Sequence, residues 1–336
     1  MILVTGGTGL TGSHLLFELT SKGNKVRATK RLGSSIEFVH KVFALYTNNS
    51  DTLFNQIEWV DVELVDFQSV LEATRNVDTV FHTGAIVSFN PKDSNSIRET
   101  NIKGTANVVD ACIENGVKTL CHISSIASLG EPNQQGVIDE YCNWTKSKGQ
   151  SQYAKSKFYG EMEVWRGAEQ GLRIVIVNPS VILGPGRWNS GSGQLFSRVS
   201  KGMPFFMSGV NGYVDVRDVA KALVLLNDNK DIVNERFILN SENLSFKELF
   251  TLMAQGLGKK GPTIEIKPWI VSIAYPFIKL GGMLVGKGTT VSRSNLRSAF
   301  SKTYYSSEKV KKAIGFEFIP IADSIGFISK TYQEGL

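Results

Sequence analysis

Cysteine is scarce in this chain of 336 residues: Cys112, Cys121 and Cys142 form no C-x-x-C pair, and their number is odd. That excludes a disulfide framework and fits reduced thiols in a reducing compartment, so a cytoplasmic location is expected. Histidine is nearly as rare, with four residues and no ligand spacing, and no metal site is expected. His82 ends an apolar stretch and reads as a packed core residue, whereas His14 is expected to face out of its helix. Long apolar runs are lacking too. The start has no basic segment and too short an apolar run for a signal peptide. The most apolar stretch, Trp269 to Val285, is broken by Pro276, Lys279, Gly281 and Gly282. It is short for a span of about 20 residues. It reads as a helix covering the substrate pocket, with peripheral contact to a membrane surface as the alternative. Dense basic tracts are also absent. The net charge is +6, but the cations are scattered without interleaved aromatics, so nucleic acid is not expected as a partner. A basic cleft for an anionic small molecule fits better.

What the chain does have is a glycine turn at its beginning, Ile2-Leu3-Val4-Thr5-Gly6-Gly7-Thr8-Gly9-Leu10-Thr11-Gly12. A short apolar run reads as a buried strand, and a helical pattern begins near Ser13. Gly7, Gly9 and Gly12 satisfy G-x-G-x-x-G, while Gly6, Gly9 and Gly12 fall three apart. A chain with 32 glycines produces such spacings by accident, and a simple tight turn is the plain alternative. The context of strand before and helix after turns the spacing into a phosphate-binding device. Glycines allow close backbone approach, and the first helical N–H groups favour an anion.

Strand-like and helix-like segments then alternate. Strands are expected near 25–29, 57–60, 78–82, 119–124 and 172–177, with helices near 36–46, 67–73, 97–115 and 152–169. Such alternation implies a parallel sheet covered on both faces, a Rossmann-type doubly wound α/β fold. Ligands on such sheets sit beyond the carboxyl ends of the strands. The expected division is a dinucleotide-binding domain over 1–180, with 211–240 returning to it. A smaller substrate-binding region takes 181–210 and 241–336. The stretch 183–193, rich in Gly, Ser, Pro and Asn, reads as a loop, even a lid. Ser245 is expected to cap a helix over 246–257, and Ser306 one that ends at Gly315.

Enzymes of this architecture that use NAD place an acidic residue about 20 residues after the glycine turn, on the ribose 2′-hydroxyl. Here that place reads Thr29-Lys30-Arg31. Lys30 and Arg31 would pair with a 2′-phosphate, which a carboxylate would repel. NADP(H) is therefore expected over NAD(H), against the alternative of a solvated basic pair. Asp61 is placed to accept a hydrogen bond from the adenine amino group, with Val62 beside it. A capping or solvated Asp61 is the other reading.

Tyr153 and Lys157 stand at i and i+4, on one face of a helix. A phenol with a pKa of about 10 is a poor acid–base group near neutrality, and an adjacent ammonium lowers it. The lysine can also hold the cofactor's ribose. Ser125, after a strand, can hydrogen-bond the same substrate oxygen. Such a set moves a proton at a carbonyl or alcohol while a nicotinamide moves the hydride. The Y-x-x-x-K spacing recurs at Tyr275/Lys279 and Tyr305/Lys309, but only Tyr153/Lys157 follows a Ser-Ser strand end and precedes another core strand. Cys142 and Trp144 precede this helix and either touch substrate or sit on the surface.

Thr5-Gly6-x-x-Gly9-x-x-Gly12, Asn101-x-x-Gly104-Thr105, Ser124-Ser125-x-x-x-x-Gly130, Tyr153-x-x-x-Lys157, Asn178-Pro179 and Val214-Asp215-Val216-x-Asp218-Val219-Ala220 resemble, in order, the extended short-chain dehydrogenase/reductase family. Val26 to Arg31 and Tyr304 to Phe316 are most similar to the dihydroflavonol reductase and 3β-hydroxysteroid dehydrogenase branch. The resemblance implies Ser125, Tyr153 and Lys157 as the catalytic triad, with Tyr153 as acid or base. It implies cofactor contacts from Gly6, Gly7, Thr8, Gly9, Leu10 and Thr11 in the turn. Thr83, Gly84 and Ala85 should pass along the cofactor, with Ile123 and Ser124 nearby, and Pro179, Ser180 and Val181 should flank the nicotinamide. Asn101 either supports the site or is structural. The resemblance also suggests a homodimer through the helices near 97–115 and 152–169. An NADP(H)-dependent oxidoreductase acting on an apolar carbonyl or secondary alcohol is the expected activity. A nucleotide-sugar epimerase is the alternative within the family, and a non-catalytic dinucleotide sensor the alternative outside it. Ile126-Ala127 after Ser125 leaves no acidic pair for a dehydratase.

Overall fold

The structure, a computed structural model, describes residues 1–145, 150–271 and 299–335. Five strands and their helices lead: β1 (Ile2–Thr5), α1 (Leu10–Ser21), β2 (Val26–Lys30), α2 (Glu37–Ala44), α3 (Ser50–Phe54), β3 (Glu58–Asp61), α4 (Phe67–Ala73), β4 (Thr79–His82), α5 (Ser94–Arg98), α6 (Gly104–Glu114) and β5 (Thr119–Ile123). Next come β6 (Val137–Ile138), α7 (Gln152–Glu169), β7 (Arg173–Pro179), β8 (Val181–Leu183), α8 (Gly193–Ser200), β9 (Phe205–Phe206), β10 (Val210–Asp215) and α9 (Val216–Asp228). Then follow β11 (Glu235–Leu239), β12 (Glu242–Ser245), α10 (Phe246–Gly256), β13 (Ile264–Glu265) and β14 (Tyr304–Tyr305). Helices Glu308–Ile314 and Ile321–Gln333 end the described chain.

Seven strands form one parallel sheet in the order β11-β7-β5-β4-β1-β2-β3. The order reverses between β1 and β4, and the crevice at such a reversal is where a dinucleotide binds. Successive residues of β1 serve opposite faces. Val4 packs with Leu15, Phe43 and Leu223 on one side, and Leu3 with Val80, Val108 and Val164 on the other. A third core, around Phe196, Tyr213, Leu249, Met253 and Ile325, holds the substrate-side region. There β12-β10-β8 form a small sheet. The chain thus leaves the central sheet after β7, and α9 and β11 bring it back. β10, at the start of the expected returning segment, belongs to the small sheet.

Two expectations need correction. His14 does not face out: it is 2% exposed, and its ring meets Tyr46 edge-on at 5.7 Å. Helix α1 is enclosed by the sheet, α2 and α9, so it has little outward face. The penultimate helix starts at Glu308 with Ser307, not Ser306, at the N-cap position, while the Ser306 hydroxyl does accept from Glu308 N at 3.4 Å. Ser307 occupies the N-cap without a side-chain bond to the helix, and its hydroxyl goes to the carbonyl of Asn240 at 2.6 Å. Ser245 caps α10 as expected, in a capping box with Glu248. Gly315 ends the penultimate helix at φ +60°. Most of the apolar stretch 269–285, with Tyr275 and Lys279, lies outside the described residues. Among the described residues no helix is long and apolar enough to cross a membrane.

Candidate active site

The glycine turn leaves β1 and enters α1 at the centre of the sheet. Gly6 has φ +69°, and a Cβ there would come within 2.6 Å of Gly84 Cα. A Cβ on Gly12 would stand 2.3 Å from the Gly6 carbonyl oxygen. The backbone is therefore drawn in at two points where only glycine fits, and α1 opens with Gly9 as N-cap. Beside it lies a cavity of about 370 Å³, lined by the turn, by Lys30, Arg31, Ser34 and Phe38 at one end, and by Thr83 to Ile86 and Thr100 at the other. The loop from Gly184 to Gly193 forms another wall. A glycine cradle at a helix N-terminus on the sheet's reversal point fits the pyrophosphate of a nicotinamide dinucleotide.

Of the expected cofactor contacts, Gly6, Thr8, Gly9, Leu10, Lys30, Arg31, Val62, Thr83, Gly84 and Ala85 line this cavity. Gly7 instead packs toward Leu16, Ala28 and Trp59. Thr11, Asn101, Ile123, Ser124, Tyr153, Lys157, Pro179, Ser180 and Val181 lie outside the lining. Asp61 lies outside it as well, and its Oδ1 accepts from Lys30 Nζ at 2.6 Å. The two residues assigned to opposite ends of an adenosine thus bind one another. Arg31 is exposed and has no ion-pair partner among the described residues.

The catalytic candidates converge where β5 ends and α7 begins. Ser151 caps α7, its hydroxyl accepting from Ala154 N at 3.0 Å. The Tyr153 phenol lies beside the Ser125 side chain. Burial raises the phenol above its ordinary pKa, and the neighbouring Ser125 hydroxyl opposes the rise. Lys157 is 4% exposed and donates to the Ile123 carbonyl at 2.7 Å. Burial lowers its pKa to about 8, and Glu161 opposes the shift. The expected lowering of the phenol by Lys157 is not part of this balance; the ammonium is directed at the strand end.

Several neighbours escape sequence reasoning. Glu161 is fully buried one turn beyond Lys157, so its signal is the continued i+4 spacing. One carboxylate oxygen accepts from Ser124 at 2.5 Å, Ser128 at 2.7 Å and Asn178 at 2.8 Å, and the other from Arg236 at 3.1 Å. It ties α7 to the ends of β5 and β7 and to β11. Asn101 sits in a π-turn, Glu99–Lys103, between α5 and α6. Its amide donates to Ile86 O at 2.9 Å and Ser156 at 3.0 Å and accepts from Ile86 N at 2.8 Å. It fixes the loop after β4 to α7. That loop presents Phe89, 48% exposed, edge-on to Tyr153 at 5.4 Å. His82 bridges Thr5 at 2.7 Å and Thr105 at 2.9 Å as a core residue. Cys142 is buried, and Trp144 stacks on Phe158 at 4.6 Å. No group of three metal-ligating side chains occurs among the described residues.

The model of the NAD dependent epimerase/dehydratase family matches residues 2–240. The chain belongs to that family. Within it, the chain is an enzyme of the extended short-chain dehydrogenase/reductase type. It is 28% identical over 321 residues to a protein of Synechocystis sp. provisionally designated a dihydroflavonol 4-reductase, covering 93% of this chain and 88% of that one. It is 30% identical to sterol demethylase protein B of Methylococcus capsulatus, over 79% of this chain and 77% of the relative. The crystal structure of gox2253 matches with a TM-score of 0.81 and 27% identity, covering 100% of this chain and 98% of that one. Across this family member, the glycine cradle and the Ser125–Tyr153 pair lie at the carboxyl ends of β1 and β5.

Proposed function

We propose that the protein is an NADP(H)-dependent oxidoreductase that interconverts a carbonyl and a secondary alcohol on an apolar small molecule. Ser125, Tyr153 and Lys157 are its catalytic residues. The observation that carries this reading is the placement of the Tyr153 phenol beside the Ser125 hydroxyl and the exposed Phe89 ring. A proton donor and an oxygen-orienting hydroxyl there adjoin an apolar surface. The bound nicotinamide supplies the hydride chemistry. Burial keeps the phenol protonated near neutrality, so Tyr153 is set to give a proton to a substrate oxygen. Ser125 orients that oxygen, and Lys157, anchored on the Ile123 carbonyl at the strand end, is the cation that holds the cofactor's ribose hydroxyls. NADP(H) is supported by the strand-two end, where the Asp61 carboxylate is neutralised by Lys30 and Arg31 has no acidic partner among the described residues.

The test is NADPH consumption against a panel of aromatic and aliphatic ketones and aldehydes, with UDP-sugars as the contrast. Turnover of apolar carbonyls with NADPH is the expected result. Interconversion of UDP-sugars without net cofactor oxidation would move the reading to an epimerase. Tight NADPH binding with no turnover of either class would make the protein a dinucleotide sensor.

A further inference from the structure

Arg187 is a cavity-lining cation that the site's chemistry has not used. It stands in the loop between β8 and α8, and its guanidinium lies 5.7 Å from the centre of the Phe38 ring. Phe38 is in the first turn of α2, soon after Lys30, Arg31 and Ser34. The loop therefore reaches from the substrate-side region to the end of the cavity beside β2. It is seated closely on the start of α1: a Cβ on Gly186 would approach Leu10 Cδ1 at 3.1 Å. It also folds back on itself, since a Cβ on Gly193 would meet the Arg187 carbonyl oxygen at 2.6 Å. The Arg187 side chain is exposed, with no hydrogen bond or ion pair among the described residues.

Three cations and one carboxylate, Lys30, Arg31, Arg187 and Glu63, line the cavity. Lys30 is held by Asp61 at 2.6 Å. Two unpaired guanidiniums remain, on different walls. One solvent-exposed arginine is a weak, salt-screened ligand for a phosphate, whereas converging guanidiniums meet its oxygens from two sides. The Phe38 face under Arg187 adds a cation–π contact that restrains the long side chain.

Resting on the NADP(H) reading above, we propose that Arg187 and Arg31 form a two-arginine clamp on the cofactor's 2′-phosphate. Arg187 is the arm that the substrate-side region extends over the cofactor. It is thus a specificity-determining residue for NADP(H), far in sequence from the strand-two end where that choice is expected. Occupancy of the cofactor site would draw the 184–193 loop against the cleft.

The test measures binding by calorimetry to the intact protein. The probes are adenosine 2′,5′-bisphosphate and adenosine 5′-monophosphate, with NADPH and NADH alongside. Arg187→Ala should weaken the bisphosphate and NADPH by about 10- to 100-fold, the range for charge-assisted bonds. It should change the monophosphate and NADH by less than about 3-fold. Arg187→Lys should recover only part of the loss, and Phe38→Leu should produce a smaller loss confined to the same two ligands. If the wild type binds the bisphosphate no tighter than the monophosphate, the NADP(H) reading itself fails. If the wild type prefers the bisphosphate and Arg187→Ala keeps that preference, or weakens all four ligands equally, the clamp is overturned while the NADP(H) reading stands.

Discussion

Tyr153 and Lys157 lead to two expectations at the level of single side chains. Removing the phenolic hydroxyl in Tyr153→Phe takes away the proposed proton donor. It should lower kcat/KM by about 10²- to 10⁴-fold, with NADPH affinity nearly unchanged in a fluorescence titration. Lys157 ionises with a pKa lowered by burial to about 8, so below that pH the free enzyme carries the ammonium and above it the neutral amine. The pH profile of kcat/KM, which reports groups of the free enzyme, should therefore fall as pH rises through about 8. A profile flat from pH 7 to 10, about the ordinary range of the groups involved, would remove Lys157 from the reaction. The types of these residues were legible because Y-x-x-x-K is a local spacing. The use of Lys30 was not, since its partner Asp61 comes from the neighbouring strand 31 positions away.

Helix α7 carries the site only if it lies tightly against the π-turn. Gly160 makes that approach: a Cβ there would stand 2.4 Å from the Asn101 carbonyl oxygen. Gly160→Ala should push α7 off the π-turn and displace Ser156, the partner of Asn101. The expected cost is about 1–3 kcal/mol of stability, read by urea denaturation, together with reduced kcat. Unchanged stability and kcat would mean that the contact is dispensable. At this scale the sequence was informative where a pattern is local. Helix 152–169 has those bounds in the structure, since Ser151 caps it and Gly171 follows. The helix expected over 97–115 is instead α5, a π-turn and α6. A one-residue π-insertion leaves little trace in apolar periodicity. Burial of His14 was equally hidden, because a helix enclosed on several sides has no polar face to betray its orientation.

For the whole molecule, buried histidines set the acid limit. His14 and His82 are held at about 3, and His122 well below its ordinary value, all by burial. Unfolding frees each to take a proton below about pH 6.5, so the unfolded state binds more protons and stability falls as pH falls. Asp218 acts oppositely: raised to about 6 by burial, it is protonated earlier in the folded state. Glu140, also raised by burial, acts with Asp218, but the three imidazoles outnumber the two carboxyls, so unfolding takes up protons and stability falls as pH drops below about 6. Chemical denaturation at pH 7 and pH 5.5 (about one unit below the free imidazole value) should show a clearly lower midpoint at the acidic value. Equal midpoints would mean that the imidazoles do not set the limit.

The segment from Glu308 to Phe318, just before the last helix, returns to the cofactor half. Val310 and Phe316 lie in the same apolar core as Val4 and Leu15, and Lys309 pairs with Glu235 at 2.9 Å. A chimera that takes its substrate-side region from another family member would therefore also exchange part of the floor beneath the central sheet. Grafts of 241–336 alone should express poorly. Grafts that carry β11 along, or keep this chain's residues from Glu308 to Phe318, should fold and reveal the donor's substrate preference.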